Sequence, residues 1–430
     1  MAENSKEDPK VVTFGCRLNT LESEKIKQWL GEQEEQNVIV VNTCAVTAEA
    51  ERQARQKIRH LKKAYPQKRI IVTGCSATLD PRSYENMPQV DRVLVNREKT
   101  PHSFDLSLLP PPSPHALPVF SALPSPLPSP SEFLSGFEQR VRAFLQIQTG
   151  CNNTCSFCVI RLARGKSVSF PFETILQQAK IFAEKGFCEI NLTGIDIASY
   201  SEGDHNLGTL LRDLLQNLPD SVRFRLSSLD PAALSEELYE VMKNPRVLPH
   251  WHLSLQSGDP SVLRRMLRRH QPEDVRHLAQ KIRTLRPEIA LGADLIVGFP
   301  GETEDMFQKT CDLVRACNVS LLHIFPYSDR PHTVASQLGP KVTRAEKKER
   351  LQHLQILGQE ILQKEMKNLV GQTVLVLLEK KKGGVFWGKT EHFFAVQAQG
   401  ESLPLGTFLP LRLTHVLCED GRFFLSGVSV

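Results

Sequence analysis

The sequence predicts an α/β protein with three structured parts. These are an N-terminal open parallel α/β domain over residues 1–98, a partial or full (βα) barrel within residues 138–369, and a small all-β barrel over residues 370–430. Three observations predict this. The first part alternates short β-branched runs with helix-length segments, the middle part repeats that rhythm six times, and the last part carries short alternating runs separated by glycine-containing turns.

In the first part the strand candidates are VVTFGC, VIVVNTC and RIIVTGC. TLESEKIKQWL, with Asn19 or Thr20 as its cap, and TAEAERQARQKIRHLKK supply the helices between them. Such βαβ units give a parallel sheet. Each strand run ends in a cysteine: Cys16, Cys44 and Cys75. The carboxyl ends of neighbouring strands in an open α/β sheet face one crevice, so residues 28 and 31 positions apart converge there. A lone cysteine at a strand end reads as a small buried hydrophobe. Three at equivalent strand ends read as a site.

Residues 99–137 read as a linker. The stretch 101–130 holds ten of the chain's 28 prolines and one charged side chain, Asp105, a composition that makes a semi-rigid spacer. A proline-motif ligand is the alternative reading.

The middle part offers RAFLQIQ, EINLTG, RFRLSS, HLSLQS, LGADLIVG and SLLHIFPY as strands, with helices such as ETILQQAKIFAEKG, LGTLLRDLLQ and PSVLRRMLRR between them. Six βα units in succession exceed a simple nucleotide-binding half and indicate a barrel, whose C-terminal rim carries chemistry. Asp196, Asp230 and Asp259 follow strands on that rim, where the plain expectation is that they cap the next helices.

The last part begins after the long helix TRAEKKERLQHLQILGQEILQKEMKN. Lys380, Lys381 and Lys382 stand near Phe386, Trp387, Phe393 and Phe394. Basic residues interleaved with aromatics suit single-stranded RNA, although a barrel this small also needs aromatics for its core.

The composition is that of an ordinary globular chain, 40% hydrophobic and 23% charged, and its net charge of +5 permits a nucleic-acid partner without demanding one. The start, MAENSKEDPK, lacks an apolar region, and no run of about 18 apolar residues follows. The expectation is a cytoplasmic protein without membrane contact, whose ten cysteines stay reduced. Cys188, Cys311, Cys317 and Cys418 stand alone on apolar segments and are expected in the core.

Cys151, Cys155 and Cys158 form a C-x3-C-x2-C cluster. A structural zinc site needs four closed ligands. No further His or Cys lies within the next 29 residues, and three thiolates would make zinc a poor Lewis acid. Iron–sulfur clusters are held by cysteine thiolates, and three ligands on a four-iron cubane leave one iron open to a reacting ligand.

That cysteine spacing, after the first strand of a (βα) barrel, resembles the radical S-adenosylmethionine superfamily, including the aromatic Phe157 before the third cysteine. QTGCNNTCSFCVIRLARGKSVS, FGCRLNTLESE, VVNTCAVT, VTGC, LQSGDPSVLRRMLRRH, GADLIVGFPGETE and HIFPYSDRPHT together resemble the methylthiotransferase family over residues 11–95 and 138–430. The resemblance implies a partial radical S-adenosylmethionine barrel and a C-terminal RNA-binding barrel of the TRAM type. It implies two 4Fe–4S clusters, one on Cys151, Cys155 and Cys158 and an auxiliary one on Cys16, Cys44 and Cys75. S-adenosyl-L-methionine is the implied cosubstrate, with Phe157, Gly194, Ser227, Gln256 and Asp294 as its expected contacts. No catalytic residue beyond the cluster ligands is assigned.

FGCRLN and VVNTCAVT followed by RQARQKIR resemble most the branch acting on N6-threonylcarbamoyladenosine at position 37 of tRNA, which is methylthiolated at C2. The isopentenyladenosine branch and the branch modifying a ribosomal protein are the alternatives. Lys364, Lys367, Lys380, Lys381, Lys382 and Lys389 around the last barrel favour phosphate contact over the ribosomal-protein branch. A reduced flavodoxin or ferredoxin-type donor and a monomeric state complete the expectation. Outside this class, a non-catalytic iron–sulfur protein that binds RNA or carries electrons would also hold two clusters.

Overall fold

The computed structural model describes residues 10–33, 37–99, 133–138, 140–400 and 402–430. The proline-rich stretch 101–130 lies outside them. The N-terminal part comprises β1 (Val11–Thr13), α1 (Arg17–Glu32), β2 (Val38–Thr43), α2 (Ala48–Ala64), β3 (Arg69–Gly74), α3 (Cys75–Leu79), α4 (Pro81–Glu85) and β4 (Arg92–Leu94). Its four strands form one parallel sheet in the order β1-β2-β3-β4. The alternation of β2 divides the core. Ile39 and Val41 pack with α2 through Ile58 and Leu61, while Val38 and Val40 pack with α1 through Ile26, Trp29 and Leu30. A strand covered on both faces must be apolar throughout, which is why VIVV reads as a continuous run.

The middle part contains β5 (Arg142–Gln146), α5 (Ile160–Arg164), α6 (Phe172–Glu184), β6 (Glu189–Thr193), α7 (Leu207–Asn217), β7 (Arg223–Leu226), β8 (Ser228–Leu229) and α8 (Glu236–Val241). It continues through β9 (His250–Gln256), α9 (Pro260–Arg265), α10 (Pro272–Leu285), β10 (Ala290–Val297), α11 (Glu304–Ala316) and β11 (Val319–Pro326). All six expected strands are present, and their neighbours pair in parallel. β7 and β8 are one run of chain interrupted at Ser227. The order is therefore β5-β6-β7/β8-β9-β10-β11, and among the described residues β5 and β11 do not pair. The barrel is partial, and α1 lies against β5 at its open side.

α12 (Arg344–Asn368) starts at a reciprocal cap: Thr343 Oγ1 accepts from the Glu346 backbone, and the Glu346 carboxylate accepts from the Thr343 backbone. It packs along β11 and leads into a closed barrel of β12 (Thr373–Lys382), β13 (Val385–Thr390), β14 (Ala395–Gln399), β15 (Phe408–Glu419) and β16 (Arg422–Ser429). Phe386 and Phe394 fill this small barrel together with Val376, Leu378, Val396 and Leu411.

Phe393 does not join that core. It sits at φ 72° in the turn between β13 and β14. Its ring stacks on His250 at 5.2 Å and lies 4.8 Å from the Arg225 guanidinium. Beneath it, Glu189 is fully buried between Arg225 (2.7 Å) and Arg142 (2.8 Å), and Arg142 also pairs with Glu379 of β12. Arg225 additionally donates to the Glu391 carbonyl at 3.0 Å. The two barrels are thus joined through a shared ion-pair network.

Burial pushes the Glu189 carboxyl up, but Arg225 and Arg142 outweigh it and hold the group at about 2. A depressed folded value means that Glu189 contributes stability above its unfolded value of 4.5, and that this is lost as pH falls toward 2. Urea midpoints measured between these pH values should therefore drop steeply for the parent. Glu189→Gln should be destabilised by about 3–5 kcal/mol at neutral pH, with a flatter acid limb.

Candidate functional site

Cys44 and Cys75 stand at the carboxyl ends of β2 and β3, with Cys16 just beyond β1. Two glycines make the convergence possible. Gly15 has φ +98°, and a Cβ there would fall 2.6 Å from both Cβ and Sγ of Cys44. Gly74 has φ +102° and a Cβ there would fall 2.3 Å from the Thr43 carbonyl. The GC pairs of the sequence are therefore a packing requirement.

Two thiols of this group accept from protein N–H donors, and the third, Cys16, donates to Asn19 Oδ1 at 3.9 Å. Cys44 Sγ lies 3.5 Å from the Val46 amide, and Cys75 Sγ lies 3.2 Å from Arg164 Nε and 3.8 Å from Asn96 Nδ2. Asn19 orders the opposite wall, donating to the carbonyls of Phe14 (2.8 Å) and Thr43 (3.0 Å). Burial, opposed by the Val46 amide and assisted by the neighbouring Cys75 and Cys16, raises the Cys44 thiol to about 11.

The second group lies on the loop after β5. Gly150 has φ +68°, and a Cβ there would overlap the Lys166 carbonyl at 1.9 Å, so the loop folds flat against the chain returning from α5. Cys151 Sγ accepts from the Asn153 amide (3.4 Å), Cys158 Sγ from the Ile160 amide (3.5 Å) and Cys155 Sγ from Arg268 Nη1 (3.4 Å). Cys16 and Cys158 are solvent-accessible, yet protein surrounds both closely enough to raise their thiols, Cys158 to about 11.

α5 joins the groups. It starts two residues after Cys158, and Val159 and Ala163 pack against Ala45 and Cys75. It ends in Arg164, whose other donors reach Glu22 Oε1 (2.6 Å) and Asn19 Oδ1 (2.8 Å), while Lys99 takes the second Glu22 oxygen at 2.6 Å. Burial opposes ionisation of Glu22, but Arg164 and Lys99 outweigh it and hold the carboxylate ionised.

The chemistry of this donor set fits iron–sulfur clusters. Each group presents three thiols, N–H donors reach five of the six sulfurs, and neighbouring thiols help to raise those of Cys16, Cys44 and Cys158. Such a set needs metal cations to ionise. Among the described residues, the only group able to share a single ion is His252, Asp294 and His323, whose ligand atoms lie within 4.8 Å of one another. The cysteines of each group are spread more widely than that, as ligands on separate irons must be.

The expected cosubstrate residues fall at different depths. Phe157 packs under the second loop with Val262, Met266 and Phe299. Gly194 ends β6, and a Cβ there would crowd Gln148 Oε1 at 2.9 Å. Ser227 interrupts the β7/β8 run with its hydroxyl buried and without a partner among the described residues. Gln256 ends β9 at φ 69°. Asp294 lies deeper, in mid-strand on β10, where it accepts from His252 (3.0 Å) and Ser228 (3.1 Å) and lies 3.4 Å from His323.

Asp230 and Asp259 cap helices as expected, accepting from the amides of Ala232 and of Ser261 and Val262. Asp196 does not cap. Its carboxylate accepts from Asn153 Nδ2 at 2.9 Å and lies 4.0 Å from Cys151 Sγ, and burial and Asp230 push its carboxyl up. Cys311 and Cys317 are buried as expected, but Cys188 is half-buried and Cys418 exposed, since β15 outruns the barrel core at that end. Arg164, Arg268, Glu22 and Arg17 were not anticipated. Arg164 and Arg268 lie close in sequence to chemistry-bearing motifs, but nothing in their spacing marks them.

Replacing Arg164 by Met should leave Glu22 facing Lys99 alone in a closed site, at a cost of about 3–5 kcal/mol. Urea unfolding of the metal-free chain measures this, and a cost under about 1 kcal/mol would show the network to be dispensable.

Residues 145–314 match the Radical SAM superfamily model, and residues 9–95 match the model described as Uncharacterized protein family UPF0004. A threonylcarbamoyladenosine tRNA methylthiotransferase of Rickettsia prowazekii is 40% identical over 96% of this chain and 95% of its own length. One from Thermotoga maritima is 34% identical over 96% and 95%. A tRNA-2-methylthio-N(6)-dimethylallyladenosine synthase of Cereibacter sphaeroides is 32% identical over 94% and 95%. Among solved structures, the radical S-adenosylmethionine methyltransferase TsrM of Kitasatospora setae, with cobalamin and a [4Fe-4S] cluster bound, superposes with a TM-score of 0.51. At 14% identity over 74% of this chain and 69% of TsrM, that likeness is one of fold. The two facing thiol groups and the full-length similarity place the chain in one family: it belongs to the radical S-adenosylmethionine tRNA methylthiotransferases.

Proposed function

We propose that the protein methylthiolates C2 of N6-threonylcarbamoyladenosine at position 37 of tRNA. The observation that carries this is the placement of two three-thiol groups on either side of α5. Cys151, Cys155 and Cys158 would hold one 4Fe–4S cluster, and Cys16, Cys44 and Cys75 the auxiliary one. When bound, the clusters and S-adenosyl-L-methionine supply the radical and sulfur-transfer chemistry.

The chain's own residues hold and shield these groups. Arg268, Arg164 and the loop amides donate to the sulfur atoms of Cys155, Cys75, Cys151, Cys158 and Cys44. Gly194, Ser227 and Gln256, with Phe157 behind the loop, would bound S-adenosyl-L-methionine, and the unpartnered Ser227 hydroxyl is an available donor there. Asp294 would act through the histidines that occupy it.

The small barrel would be the TRAM-type tRNA module. Lys380, Lys381 and Lys382 are exposed on its β12–β13 hairpin, whereas Phe386 and Phe394 are core and Phe393 is spent on the interface between the barrels. The RNA contact would therefore be mainly electrostatic. The described helices include none long and apolar enough to cross a membrane. A cytoplasmic monomer reduced by flavodoxin or a ferredoxin fits this reading, and the substrate assignment follows the names of the relatives.

Nucleosides from tRNA of cells lacking the gene should lose 2-methylthio-N6-threonylcarbamoyladenosine and accumulate its precursor. Loss of the isopentenyl counterpart instead would reassign the substrate, and an unchanged profile would overturn the tRNA reading. In reconstituted protein, Cys75→Ala and Cys155→Ala should each lower the iron content by about four atoms. Removal of residues 371–430 should abolish most tRNA affinity, and the affinity of the full chain should fall steeply with salt.

A further inference from the structure

We infer that Arg17 anchors the carboxylate of the N6 substituent on the target adenosine, and so sets the preference for an acidic over an apolar substituent. This rests on the tRNA reading above. Arg17 is the first residue of α1 and directly follows Cys16, so its backbone is fixed by the auxiliary thiol site. Its charged neighbours belong to the barrel: Arg225, Glu189, Arg142 and Asp294. Leu21, one turn further along the same face of α1, packs in the barrel core, and α1 lies against β5, so the Arg17 side chain runs from the thiol site toward the barrel.

Among the described residues nothing pairs with the Arg17 guanidinium. The carboxylates around it are committed. Glu189 is held by Arg225 and Arg142, and Asp294 by His252, His323 and Ser228. Arg142 Nη2 is also buried without a partner. A half-buried, unpaired cation beside a second open guanidinium donor is a site for an anion that the protein itself does not supply.

The chemistry of the substrate says which anion. C2 and C6 of adenine flank N1 on one ring, so an adenine with C2 at the thiol site starts its N6 substituent within one ring's width of that site, inside the reach of the long side chain that follows Cys16. A threonylcarbamoyl group ends in a carboxylate, which a guanidinium engages through two parallel hydrogen bonds. An isopentenyl group offers none. A backbone phosphate of the tRNA is the other source of an anion, and the two are separable.

The test uses full-length, cluster-reconstituted protein and anticodon stem–loop RNAs carrying adenosine, N6-threonylcarbamoyladenosine or its methyl ester at position 37. The parent should bind the threonylcarbamoyl RNA about tenfold or more tighter than the other two. Arg17→Gln should lose that preference while binding the unmodified RNA as the parent does, and Arg17→Lys should keep part of it.

Equal loss on modified and unmodified RNA would mean a phosphate contact and overturn the assignment, as would an unaltered preference in Arg17→Gln. Iron content checks that the Cys16 site survives each change. If Arg17→Gln loses iron, the methyl ester on the parent decides, because an ester bound as tightly as the acid overturns the carboxylate anchor. A parent that neither prefers nor methylthiolates the threonylcarbamoyl RNA overturns the tRNA reading itself.

Discussion

One buried guanidinium, that of Arg164, holds the two halves of the site in register. Its three donor positions go to three groups on the N-terminal domain: Cys75 sulfur, the Glu22 carboxylate and the Asn19 side-chain oxygen. Its backbone ends α5, the helix that starts two residues after Cys158. A planar fork fixes direction as well as distance, which a lysine ammonium cannot do. Glu22 offsets one of the two positive charges there, and Lys99 completes its coordination from a third segment of chain. Beside this junction, α5 meets the N-terminal domain through apolar contact between Val159, Ala163, Ala45 and Cys75 and through one hydrogen bond from Asn96 to the Ala163 carbonyl at 2.9 Å; apolar contact resists separation but not sliding.

Much of this was legible in the sequence because the constraints are local. Strand–helix alternation, glycine before cysteine and the close C-x3-C-x2-C spacing each arise within a few residues, and the six barrel strands appear where the apolar runs lie. What was not legible depends on distant chain segments meeting. Asp196 looks like a helix cap from its neighbours, and only the fold brings Asn153 to it from 43 positions away. Phe393 and Phe394 are adjacent and chemically identical, yet one fills a core and the other leaves it, because a turn at positive φ sends them to opposite sides. Arg17 and Arg164 are two arginines among many until the structure shows which one is paired.

The junction between the barrels follows the same logic at larger scale. Glu189, Arg225 and Arg142 are inward-facing residues of β5, β6 and β7, where a fully packed barrel would place aliphatic side chains. A polar layer there costs solvation unless every group is matched, and the small barrel supplies the missing partners: Glu379, the Glu391 carbonyl and the ring of Phe393. The C-terminal barrel is therefore part of the interior of the larger one as well as an appendage to it.

The cover over the N-terminal thiols also decides which of them solvent reaches first. Cys44 and Cys75 are 5% and 3% exposed, roofed by Val159 and Ala163 of α5, while Cys16 alone of that group meets solvent. A thiol-directed reagent added to the metal-free chain therefore meets Cys16 first, and reaches Cys44 and Cys75 only where the segment carrying Val159 and Ala163 lifts away.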